Sequence, residues 1–184
     1  MYQGTNPTAL QSQTWIVEAL TALMSEQPYS QITIRNICKR ADLSRQTFYN
    51  CFDSKDEVLR FCLQKQYEPH FQRLSVQNAI SLQEIIEAFA SVLQDNKELL
   101  NLMIQNHLDS IITDEIAKCV ALFASRFARK TESENTLPYN EALFSGALAH
   151  VLLHWFRQEN PISILHLTRI LSDFFSGQIF QMKI

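Results

Sequence analysis

The sequence predicts an all-α protein of about nine helices. Three observations predict it. Among 184 residues only three are glycine and five are proline, so turns are few and helices long. Apolar residues recur at helical spacing along most of the chain, and no stretch alternates apolar and polar side chains as a half-buried strand does. Apolar residues make up 46% of the chain, enough for a continuous core. There are no internal repeats and no low-complexity tract.

The elements follow in order. A first helix is expected from Ala9 to about Glu26, with Ile16, Ala19, Leu20 and Leu23 on one stripe and Pro28 beyond its end. Thr33 caps a second, in which Ile34, Ile37, Cys38 and Ala41 share a face. Ile32 and Ile37 form a hydrophobic staple across its start. Ala41-Asp42-Leu43 turns the chain, and Ser44 caps a third helix from Arg45 to about Phe52. A fourth starts near Lys55 and runs towards Ser75, with a kink or break expected at Pro69. Ser81-Leu82-Gln83-Glu84 is a capping box for a fifth helix that ends near Asp95-Asn96. Lys97–Asn106 is a short sixth, and a seventh runs from Asp109 to about Lys130. The polar residues 131–137 read as a loop, and Pro138 suits a first helical turn. Tyr139–Gln158 is an apolar eighth helix, Glu159-Asn160-Pro161 a break, and Ile162 to about Phe180 the ninth.

Charge is unevenly placed. The net charge is −3, yet residues 29–55 hold Arg35, Lys39, Arg40, Arg45 and Lys55 against Asp42 and Asp53. A local cationic patch on an acidic chain attracts a polyanion without coating it indiscriminately. Cys38, Cys51, Cys62 and Cys119 form no C-x-x-C pair and read as small buried hydrophobes in a reducing compartment. No secretory signal pattern is present. The most apolar run, Ala142–Phe156, holds two histidines and is too short to span a bilayer, so a cytoplasmic protein without membrane contact is expected.

The densest functional signal is residues 32–59. The second and third helices each bury one side and leave the other polar. The free sides carry Arg35, Lys39 and Arg40, then Arg45, Gln46, Thr47, Tyr49 and Asn50. A helix-turn-helix reader needs this division, because one face must be fixed while the other enters the major groove. Arg45, Gln46 and Asn50 carry the guanidinium and amide groups that bond base edges. Thr33, Ser44, Thr47, Tyr49 and Lys55 suit phosphates, some of them at helix starts, and Arg35 extends the cationic surface. Any solvated helical hairpin also has a polar face; here the order of aromatics, turn and basic residues points to double-stranded DNA.

The run T-I-R-N-I-C-K-R-A-D-L-S-R-Q-T-F-Y-N-C-F-D-S-K-D-E-V-L resembles the N-terminal signature of TetR-type transcriptional regulators. The resemblance rests on Ser44, Thr47, Phe48, Tyr49, Phe52, Lys55 and Leu59. Asp42 stands where many relatives have glycine; Asp tolerates the left-handed backbone such a turn uses. The resemblance implies a homodimer whose two heads, residues 1–53, bind a pseudo-palindromic operator, usually as a repressor. It also implies a body, residues 54–184, that dimerises and binds an effector.

In that body Phe61, Phe89, Leu93, Met103, Phe123 and Phe127 are candidates to line a cavity for a small apolar or aromatic effector, with Tyr67, Phe71 and Leu100 nearby in the pattern. Aromatics at helical spacing also build a closed core, and a protein partner acting on the body is the alternative to a small molecule. Helices eight and nine are apolar on more than one side, which fits a face on the body and another on a second subunit. His150 and His154 share a helix face but lack further ligands at a helpful spacing, so no metal or other cofactor is expected. No phosphate-binding glycine loop, H-E-x-x-H or nucleophile elbow occurs, and no enzymatic activity is expected. A helical adaptor whose head has lost DNA binding is a further alternative.

Overall fold

The computed structural model describes residue 4 and residues 6–75, 81–127 and 136–176, without the side chains at 71, 73, 75 and 122–127. Among the described residues there are nine α-helices, one 3-10 turn and no strand. The helices are α1 (Pro7–Glu26), α2 (Ile34–Ala41), α3 (Arg45–Cys51), α4 (Lys55–Ser75), α5 (Leu82–Asp95), α6 (Lys97–Gln105), α7 (Asp109–Phe127), α8 (Leu137–Phe156) and α9 (Ile164–Phe175); the 3-10 turn is Tyr29–Gln31.

Local chemistry sets the boundaries. The Asn6 side chain accepts from the Thr8 N–H and Pro7 enters at the first position, so α1 starts two residues earlier than its apolar stripe. Thr33 and Asn36 form a reciprocal capping box on α2, and Ser81 and Glu84 do the same on α5. Ser44 caps α3 through the Thr47 N–H at 3.0 Å. Asp42 ends α2 in the left-handed region, φ 53° and ψ 43°, while the Leu43 N–H returns to the Cys38 carbonyl at 3.0 Å. Pro69 lies inside α4 without ending it. Ser163 caps α9, two residues later than the expected start. Most of the expected polar loop, residues 131–135, and the expected helix ends at Lys130 and Phe180 lie outside the described residues.

One core runs through the molecule. Under the head, α1 gives Ile16 and Leu20, α2 gives Ile37, α3 gives Phe48, and Val58 and Leu59 of α4 close the far side, all fully buried. Phe52, just after α3, is also fully buried; its ring is tilted against Phe48 and meets Phe61 edgewise, with centroids 6.2 and 5.3 Å apart. Helix α4 touches α1 on the head side and α5 and α7 on the body side, so it spans the two parts. In the body α7 and α8 pack along each other, α9 lies on α5, and the Arg157 guanidinium donates to the Asp109 carboxylate at 2.7 Å. No described helix is long and apolar enough to cross a membrane.

Candidate nucleic-acid interface

The inner face of α3 is immobilised. Phe48 and Phe52 have no exposed surface, and Cys51 is 2% exposed. Its outer face is open: Arg45, Gln46, Tyr49 and Asn50 are exposed, and Thr47 is half-buried, its hydroxyl 2.8 Å from that of Ser44. Arg35 and Lys39 are exposed on α2. Among the described residues, Arg35, Arg45 and Gln46 have no hydrogen bond or ion pair within the chain. Charged and amide groups held without partners on a rigid helix are what direct readout of base edges requires.

Two cations differ from expectation. The Arg40 guanidinium pairs with Glu26 of α1 at 2.6 Å and so ties α2 to α1 rather than standing free. Lys55 is turned inward. Its ammonium donates to the carbonyls of Tyr29 and Ile32, at 2.7 and 2.9 Å, and lies 4.0 Å from the Tyr29 ring centroid. Burial lowers its pKa, against the opposing effect of Asp56. The expected phosphate contact is therefore revised: Lys55 fastens the first turn of α4 to the link between α1 and α2. Thr33 and Ser44 keep exposed positions, although each hydroxyl already serves as a helix cap.

Tyr29 is the point where head and body meet. Its N–H donates to Asn106 Oδ1 at the end of α6, at 2.7 Å, and its hydroxyl donates to Asp56 Oδ1 at 2.5 Å. Burial, then the Asp56 carboxylate, raises its phenol pKa. A second joint sits farther along α4. Arg60, Gln64 and Tyr67, one helix face at i, i+4 and i+7, all bond the buried Glu115 carboxylate of α7, at 3.1, 3.2 and 3.0 Å. Arg60 also reaches Asp114 at 2.7 Å, and Lys118 reaches Glu115 at 2.5 Å. Sequence reasoning missed both joints. The only available signal was the polar stripe on α4, which cannot reveal a partner some fifty residues away.

The body encloses a cavity of about 550 Å³. Phe89 and Leu93 line it, as do Tyr67 and Leu100. Phe61 and Met103 do not. Phe61 packs on Phe52 at the head–body junction, and Met103 is fully buried in the core beside the cavity. The side chains of Phe71, Phe123 and Phe127 lie outside the described residues. Part of the wall comes from α8 and α9, through Phe144, Leu148 and Phe175, whose spacing suggests only core or dimer face. Among the described residues no group of three or more His, Cys, Asp or Glu is placed to hold a metal ion.

A trihelical unit presenting free guanidinium and amide groups, mounted on a helical body, defines a helix-turn-helix head on an all-helical chain. Residues 16–61 match the family model of bacterial regulatory proteins of the tetR family. No curated protein matches the chain. Among solved structures it is similar to Lin0861 from Listeria innocua, with a TM-score of 0.76 and 13% identity over 96% of each chain. It is also similar to a TetR transcriptional regulator from Streptococcus agalactiae, with a TM-score of 0.62 and 15% identity over 93% of this chain and 95% of that one. The dihydroxyacetone kinase operon activator DhaS gives a TM-score of 0.57 and 17% identity over 91% of this chain and 96% of that one.

Proposed function

We propose that the chain is a homodimeric transcriptional repressor that binds a pseudo-palindromic operator and releases it when the body takes up an effector. Residues 1–53 read DNA and residues 54–184 dimerise and sense, in the cytoplasm. Arg45, Gln46 and Asn50 face base edges, while Thr33, Arg35, Ser44, Thr47 and Tyr49 face phosphates. The observation that carries this reading is the division of α3: Phe48 is fully buried while Arg45 and Gln46 stand exposed and unpaired on the opposite side.

Dimerisation is supported by an unusual surface. On α8, Tyr139, Leu143, Gly146, His150 and His154 are exposed at helical spacing, with Tyr139 at 78% and Leu143 at 70%. A Cβ added at Gly146 meets nothing within 4 Å. On α9, Leu165 is 78% exposed and Ile170 45%. Large apolar side chains left in water on two consecutive helices fit an isologous four-helix contact. The test joins two measurements. Electrophoretic mobility shift of the chain on its own upstream DNA, at stated salt, should give a saturable specific complex, and sedimentation should give a dimer that Leu143→Glu converts to monomer with weakened DNA binding. A wild-type monomer at micromolar concentration, or no preference over unrelated DNA, would overturn the proposal. Because DhaS is described as an operon activator, the sign of control is read separately, by transcription with and without the chain. Activation would replace the repressor reading by one in which the body answers to a protein partner.

A further inference from the structure

The cavity in the body carries a chemical signature that narrows what it takes, on the reading above that it holds an effector. Its wall is mainly apolar, and Tyr67, Phe89, Phe144, Phe174 and Phe175 bring aromatic rings to it. Among the described residues no lysine or arginine lines it, whereas two carboxylates do, Glu115 and Glu141. They are not equivalent. Glu115 is buried and balanced by Arg60 and Lys118 from outside the wall. Glu141 is half-buried near the start of α8 and has no cation or hydrogen-bond donor against it among the described residues. A third polar group also lines the cavity. Asn96, between α5 and α6, is 4% exposed; its Nδ2 donates to the Val92 carbonyl at 2.8 Å, while its side chain makes no cap bond to α6. Asn96 is thus a polar residue in an otherwise mainly apolar wall.

We propose that this cavity takes an apolar organic cation: a protonated amine on a hydrocarbon or aromatic body. Its charge faces the unpaired Glu141 and the aromatic rings, whose faces attract cations. An anionic ligand finds the reverse, since no lysine or arginine among the described residues of the wall offsets its desolvation and Glu141 repels it. The volume suits a molecule of drug-like size.

The test is calorimetric titration of the full chain with decylammonium, decanol and decanoate, each below its micelle concentration. The three share one apolar tail and differ only in the head group. Decylammonium should bind about tenfold or more tighter than decanoate, as expected where a charge-assisted hydrogen bond takes the place of a repulsion. Glu141→Gln should narrow that gap by about tenfold while leaving decanol unchanged, and Leu148→Trp, which fills the cavity, should abolish binding of all three. A larger rise in Tm with decylammonium than with decanoate gives the same answer without any variant. If decanoate binds as tightly as decylammonium, or Glu141→Gln leaves the gap intact, the cation proposal falls while the effector cavity stands. If no compound binds, or Leu148→Trp binds as well as wild type, the cavity reading fails first and takes this proposal with it.

Discussion

Lys55→Ala should damage the fold of the head more than its attraction for phosphate. The substitution removes two charge-assisted hydrogen bonds, to the carbonyls of Tyr29 and Ile32, and one ammonium–ring contact. Hydrogen bonds to charged groups contribute about 1.5–3 kcal/mol each, and an ammonium over an aromatic ring about 0.5–1 kcal/mol. The position is half-buried, the freed carbonyls regain water, and the ammonium's own desolvation already lowers its pKa, so the loss falls below the low-end sum of about 3.5 kcal/mol. The net loss comes to about 2–3 kcal/mol, or a fall in Tm of about 4–12 °C for a chain of this length. Urea unfolding followed by tryptophan fluorescence reads the stability. Mobility shifts across a salt series read the number of phosphates neutralised. The slope of log affinity against log salt should be unchanged, because this ammonium is committed to carbonyls. A slope smaller by about one unit per head, with wild-type stability, would show Lys55 meeting phosphate and overturn its role as an internal fastener.

Two further outcomes are expected. Arg45→Ala should cost about 1–3 kcal/mol of specific binding and relax preference at one base position of each half-site, as competition with a randomised-site library would show. Stability should fall in alkali. Burial pushes the Cys62 and Cys119 thiols up to about 12 from the ordinary thiol value of 9.0, so between those values the unfolded chain ionises while the folded chain stays protonated. Their stabilisation is thus full below pH 9.0 and is lost as pH rises towards about 12, with Tyr29 and Tyr67 shifted in the same direction. Urea midpoints measured across that range should decline, and Cys62→Val should flatten the decline. A flat wild-type profile would contradict the burial of these thiols.

Local interactions were legible in the sequence, and distant ones were not. Thr33, Ser44 and Ser81 announce the starts of α2, α3 and α5 because a cap and its partner lie three residues apart. Asp42 is legible as a left-handed turn residue for the same reason. Phe48 and Phe52 are recognisable as the buried side of α3 by spacing alone. Periodicity fails where one helix has several neighbours. Phe61 falls on an apolar face of α4, but spacing cannot tell whether that face meets Phe52 or a cavity. Phe144 and Phe175 share a stacked contact with centroids 3.8 Å apart, and their place in the cavity wall depends on how α8 and α9 are docked, a tertiary fact. Lys55 shows the same limit: its position at a helix start suggests an anion, and carbonyls more than twenty residues earlier claim it instead.

The Glu115 knot constrains how α4 can travel. Three side chains of that helix converge on one buried carboxylate, so advancing α4 along α7 by a helical turn, about 5.4 Å, would break or exchange all three bonds to it. The long strut between body and head is therefore pinned at both ends, to α7 through Tyr67 and Glu115 and to the head through Lys55.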